Sequence, residues 1–165
     1  MRFDKARLST GLRIHYAESG DARGTPVVFV HGWPDSWFSF SRVLPLLPAT
    51  LRLIAFDQRG FGESDHPDSG YTIPGFAADL VALLDALDIG RAVLVGHPYG
   101  TYVARRAPIA APERVAAAAY RRFDSIRFDA SSRLPARSSA LSLLSAVSTA
   151  PSVARRCAAT AARSG

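Results

Sequence analysis

Cysteine is nearly absent from this chain: 165 residues hold one, Cys157. A single thiol excludes an intrachain disulfide scaffold. Lysine is as scarce, since Lys5 is the one lysine among 20 basic residues. No run of about 18 apolar residues occurs, so no membrane span is expected. Met1 to Leu8 alternates charged and apolar residues without an apolar signal core, which predicts no secretory signal and a cytoplasmic location. The glycine pair Gly60-x-Gly62 does not fit Gly-x-Gly-x-x-Gly, so residues 57–64 read as a structural turn. No metal is expected. Histidine stops early: His15, His31, His66 and His97 are the four, and none follows residue 98. What remains is ample for a globular core, with 48% hydrophobic and 10% aromatic residues.

The net charge of +6 is unevenly placed. Residues 1–116 hold 12 basic and 12 acidic side chains, whereas 117–165 hold 8 arginines against Asp124 and Asp129. Ala, Ser and Arg supply 31 of those last 49 residues. This shift divides the chain into a body, 1–116, and a basic tail, 117–165. Weak helices are expected at 139–147 and 152–163, interrupted by Pro135 and Pro151, with partial disorder elsewhere. The tail has charge for anionic surfaces, but its aromatics end with Tyr120, Phe123 and Phe128 and no nucleic-acid motif is present. Specific nucleic-acid binding is not expected. Cys157 reads as an incidental thiol.

Within the body, residues 2–8 and 11–17 alternate across Ser9-Thr10-Gly11, a hairpin pattern. Pro26 to His31, Leu51 to Phe56 and Ala92 to Val95 are apolar runs suited to strands buried on both faces. Between them, 36–47 and 74–88 carry apolar residues at helical spacing, Thr72 reads as an N-cap, and Gly90 reads as a terminator. A further helix follows Gly100 and meets Pro108. Glu113 and Arg114 read as a solvated helix end. The order predicts an α/β fold: a mostly parallel sheet, an N-terminal antiparallel hairpin, and helices on both faces.

Three loops follow the carboxyl ends of three of these strands, the edge where open α/β sheets build sites. They are His31-Gly32-Trp33-Pro34-Asp35-Ser36, Asp57-Gln58-Arg59-Gly60-Phe61-Gly62-Glu63-Ser64-Asp65, and Gly96-His97-Pro98-Tyr99-Gly100. Their order and spacing resemble the α/β-hydrolase superfamily, in the His-Gly-x-Pro branch of epoxide hydrolases, haloalkane dehalogenases and small esterases. The resemblance covers about residues 8–115. It implies a partial α/β-hydrolase fold with strand order 1-2-4-3-5. It implies oxyanion-hole positions at the backbone N–H of Trp33 and Tyr99, supported by His31, Gly32, Pro34, Gly96, His97 and Gly100. It implies hydrolysis of small esters or epoxides, without a cofactor. Trp33 is equally a pocket or a core aromatic, and Trp37 reads as core.

The chain departs from the family at the centre of its third loop. The nucleophile position holds Pro98, which carries no hydroxyl, carboxylate or thiol. Its ring also fixes φ near about −65°, the wrong sign for a sharp nucleophile elbow, so a relaxed strand-to-helix junction is expected. The triad acid and histidine that would follow are missing. The run Val115-Ala-Ala-Ala-Ala-Tyr120 does not resemble the family's next strand, so lid and C-terminal strands are expected to be missing and 92–96 is expected to be an exposed edge open to self-association. These features predict a truncated or frameshifted pseudoenzyme, inactive alone. Two alternatives stand beside it: a non-catalytic module binding a small apolar molecule or a protein, and an active hydrolase with an unrecognised site.

Overall fold

The computed structural model describes residues 1–121 and 126–129, with side chains through 119. The expected helices at 139–147 and 152–163, and Cys157, lie outside the described residues. Among the described residues there are seven strands: β1 (Arg2–Arg7), β2 (Arg13–Gly20), β3 (Thr25–Val30), β4 (Leu51–Phe56), β5 (Ala92–Gly96), β6 (Val115–Arg121) and β7 (Ile126–Asp129). They form one sheet in the order β1-β2-β4-β3-β5-β6-β7. β4, β3, β5 and β6 are mutually parallel, β1 and β2 form the antiparallel hairpin, and β7 returns antiparallel to β6. The expected order 1-2-4-3-5 is the one observed.

The apolar runs become strands because each buries alternate side chains in a different core. Val28 and Val30 of β3, Ile54 and Phe56 of β4, and Leu94 of β5 enter one core. Val27 and Phe29, Leu53 and Ala55, and Val93 and Val95 enter the other. The first core is closed by two helices, α1 (Ile73–Ala86) and α2 (Gly100–Ala110), through Phe76, Leu80, Leu83, Leu84, Val103 and Ala104. The second is closed by Phe40, Val43, Leu44 and Leu47.

Several local expectations are corrected. Residues 36–47 do not form an α-helix. They form two 3₁₀ turns, Trp37–Phe40 and Leu44–Leu46. Pro45 withholds an N–H and prevents Ser41 from entering the α-helical ladder. Helix α1 begins at the expected cap, where Thr72 Oγ1 accepts from Gly75 N at 3.2 Å. It does not end through Gly90: Asp88 takes the left-handed conformation instead, with φ 53°. Aspartate tolerates that region better than most side chains. Helix α2 runs through Pro108, which sits in its last turn. Arg114 is not a solvated end. It donates to Gly90 O at 2.8 Å and Ile89 O at 2.8 Å and pairs with Asp85, so it closes the carboxyl end of α1.

The largest correction concerns the sheet edge. The strand 92–96 is interior, paired with β3 on one side and β6 on the other. The alanine run that looked unlike a strand is β6, which passes through the composition boundary at 116/117. Alanine has weak strand preference, but parallel pairing to β5 supplies its backbone partners. Its small side chains are buried on both faces, with Ala118 in the first core and Ala117 and Ala119 in the second. Self-association through an open 92–96 edge loses its structural premise.

Candidate active site

The loops after β3, β4 and β5 meet at one edge of the sheet. His97 N donates to Val30 O at 2.9 Å, extending the β3–β5 ladder beyond β5. A side chain at Gly100 would stand 2.5 Å from His31 O, and one at Gly96 would stand 2.7 Å from the Thr101 Cα. These two glycines let α2 enter directly against the ends of β3 and β5. Gly32 is drawn in as well: a Cβ there would lie 3.5 Å from His97 Nδ1 and 3.8 Å from Tyr99 N. The His-Gly loop and the Pro98 corner are therefore neighbours.

His31 fixes the first loop to the second. It is fully buried. Gln58 N donates to His31 Nε2 at 3.0 Å, and His31 Nδ1 donates to Gly32 O at 2.6 Å. Gln58 Nε2 returns a bond to His31 O at 3.0 Å. An imidazole that accepts at Nε2 and donates at Nδ1 is neutral, with its tautomer set by these partners. Burial pushes its pKa below the ordinary histidine value, although the Gly32 bond and the charges of Asp57 and Asp35 act the other way. Such a residue holds a loop and does not shuttle protons at neutral pH.

Asp57 anchors the second loop. Its Oδ1 accepts from Trp37 N at 2.8 Å, and its Oδ2 accepts from Glu63 N at 3.1 Å and meets His15 Nδ1 at 2.8 Å. Gly62, at φ 52°, crosses so close to this carboxylate that no Cβ fits. Ser64 Oγ donates to Asp57 O at 2.6 Å and accepts from His15 N at 2.9 Å. The run 57–64 is a turn closed on its own carboxylate. Arg59 leaves it to make a two-pronged pair with buried Asp79 of α1, at 2.6 and 2.7 Å.

At the third loop Pro98 stands at the strand-to-helix corner. Tyr99 has φ −68° and ψ −37°, already helical. Gly100 N donates to His97 O at 2.7 Å, and Thr101 N donates to Pro98 O at 3.2 Å. The only positive-φ residue other than glycine among the described residues is Asp88. The corner is the relaxed junction expected of proline, and no side chain at position 98 offers a nucleophilic atom.

Trp33 and Pro34 project outward from the first loop, and Trp33 is 67% exposed, which excludes a core role for it. Trp37 packs on the second core, as expected. Sequence reasoning missed Gln58 as the partner of His31 and missed the His15–Asp57 pair. The spacing of Asp57 to Ser64 marked the turn, but nothing local marked His15. Among the described residues, no cluster of His, Cys, Asp or Glu could hold a metal ion. No helix among them is long and apolar enough to cross a membrane.

Comparison with known proteins agrees with this arrangement. A family model described as alpha/beta hydrolase fold matches residues 25–120. A non-heme chloroperoxidase of Streptomyces lividans is 45% identical over 67% of this chain and 41% of its own length. Epoxide hydrolase A of Mycobacterium tuberculosis is 39% identical over 67% of this chain and 35% of its own. Among solved structures, an epoxide hydrolase from Vigna radiata superposes with TM-score 0.68 at 33% identity, covering 72% of this chain and 39% of that one. The haloalkane dehalogenase DatA from Agrobacterium tumefaciens gives TM-score 0.65 at 34% identity, covering 72% and 40%. The chain thus spans about two fifths of the length of these relatives. The sheet order, the three converging loops and the match over 25–120 together make the chain a member of the α/β-hydrolase family.

Proposed function

We propose that this chain is a hydrolase-derived protein that carries out no covalent hydrolysis by itself. One observation carries the reading: Pro98 occupies the corner between β5 and α2, flanked by His97 and Tyr99, where the family motif places its nucleophile. A covalent route needs a lone pair on a side-chain heteroatom at that corner. Proline has none, and its ring holds the backbone in a helical turn. The neighbouring backbone groups of Trp33 and Tyr99 are what remains of an oxyanion site, and donors alone give little acceleration without an attacking group. The ancestral substrate class proposed from the relatives is a small epoxide or ester.

The test uses purified full-length chain, a short-chain nitrophenyl ester and styrene oxide. The expected result is turnover equal to buffer and no mass increase on the intact protein. Turnover well above buffer that disappears on Gly32→Val, with the fold retained by circular dichroism, overturns the reading. A non-catalytic binding role for the same edge is supported by the exposed Trp33. Saturable quenching of tryptophan fluorescence by an unreactive substrate analogue, lost in Trp33→Ala, is its expected signature.

A further inference from the structure

A second feature lies on another part of the sheet. His15 of β2 is buried, and its Nδ1 is fixed to the buried carboxylate of Asp57 at 2.8 Å. Its other nitrogen, Nε2, has no hydrogen-bond partner among the described residues and is not sealed inside the protein. His15 lines an open depression of about 510 Å³ together with Phe3, Asp4, Lys5, Trp37 and Glu63. Phe3 and Trp37 make its aromatic wall, in edge contact with ring centroids 4.9 Å apart. Lys5 and Glu63 face each other at 3.7 Å on its rim. With Asp4 the lining holds two carboxylates against one ammonium, so the depression disfavours an anion.

We propose that this depression binds a small neutral phenol, whose ring lies on Phe3 and Trp37 and whose hydroxyl donates to His15 Nε2. Three features select that class. The volume lies in the range of small-molecule sites, which run from about 300 to 1,000 Å³. The wall is aromatic and takes a planar ring by offset or edge contacts. Among the polar groups that line it is His15, and the neutral imidazole that donates from Nδ1 to Asp57 presents an acceptor lone pair at Nε2. The Asp57 carboxylate behind the ring fixes its orientation and the Nδ1–H tautomer. The proposal does not depend on whether the Pro98 corner is inert, since His15 belongs to none of the three loops.

Phenol and anisole are titrated separately into ¹⁵N-labelled full-length chain, with the histidine ring nitrogens and the tryptophan indoles observed by NMR. Saturable phenol binding that shifts His15 Nε2 and the Trp37 indole, with anisole weaker by about tenfold or more, is the expected result. Phe3→Ala is the main variant, because Phe3 is 51% exposed on an outer strand and its loss leaves the cores intact. It is expected to weaken phenol binding several-fold. His15→Leu removes the acceptor and is expected to bring phenol down to the level of anisole. Equal binding of phenol and anisole to the unaltered chain, shifts centred on Trp33 instead of Trp37, or no shift at 20 mM phenol would each overturn the proposal.

Discussion

His31 shows how one buried side chain ties stability to pH. Folded, it stays neutral because burial opposes the imidazolium and Gln58 N already occupies Nε2. Unfolded, it takes up a proton near the ordinary value of about 6.5. Below that pH the unfolded chain therefore binds more protons than the folded one, and stability falls as pH falls. The loss starts near pH 6.5, runs at up to about 1.4 kcal/mol per pH unit, and stops at the depressed folded pKa. Urea unfolding at pH 7.5 and 5.5 measures it, and His31→Gln is expected to show a smaller drop between the two. Gly62→Ala tests the neighbouring loop. It places a Cβ against Asp57 at a left-handed φ, and a cost of about 2 kcal/mol or more is expected in the same assay. The motif spelled out Gly62 and His31 as members of loops. It did not spell out their partners, because Gln58 is 27 residues from His31 and Asp57 is 42 residues from His15. Pro98 was fully legible, since the absence of a heteroatom and the sign of φ are both properties of the residue itself.

Element boundaries were legible where the local code is strong and hidden where a distant partner decides. β4 (Leu51–Phe56) falls where its apolar run predicts, and α1 starts one residue after its threonine cap. The segment 36–47 keeps its apolar spacing but not its helix, because Pro45 interrupts the backbone ladder while the core still collects Phe40, Val43, Leu44 and Leu47. Arg114 looked solvated because the carbonyls it meets lie 24 and 25 residues earlier, at Gly90 and Ile89. Its side chain is 18% exposed, so those bonds are partly shielded from water. Arg114→Ala is expected to cost about 1–3 kcal/mol, since two carbonyls in the loop after α1 lose a charged donor. Amide hydrogen exchange should locate the damage in the last turn of α1 and in Ile89–Arg91, with the β1–β2 hairpin unaffected. Uniform acceleration across the sheet would instead show that Arg114 governs global stability.

The molecule as a whole is one sheet between two cores that do not share side chains. The alternation in β3, β4 and β5, and in β6 from Ala117 onward, sends neighbouring residues of one strand to opposite cores, so the backbone of the sheet is the wall between them. That plan was readable from the continuous apolar runs. The place of β6 was not, because an alanine run acquires strand character only when β5 lies beside it and both of its faces are buried. A physical consequence follows for energetic coupling. Val103 of α2 is buried in the first core and Val43 of the 3₁₀ segment in the second. Each valine-to-alanine change removes two methyl groups and is expected to cost about 1–2.5 kcal/mol. Cavities on opposite sides of a hydrogen-bonded sheet have no common lining atoms through which to relax. The double variant should therefore lose the sum of the two single losses to within about 0.5 kcal/mol, in one cooperative transition. A larger departure in a double-mutant cycle would mean that the sheet transmits strain between its faces. Two separate transitions would mean that the layers unfold independently, which a sheet whose strands β3 to β6 each supply both cores should not permit.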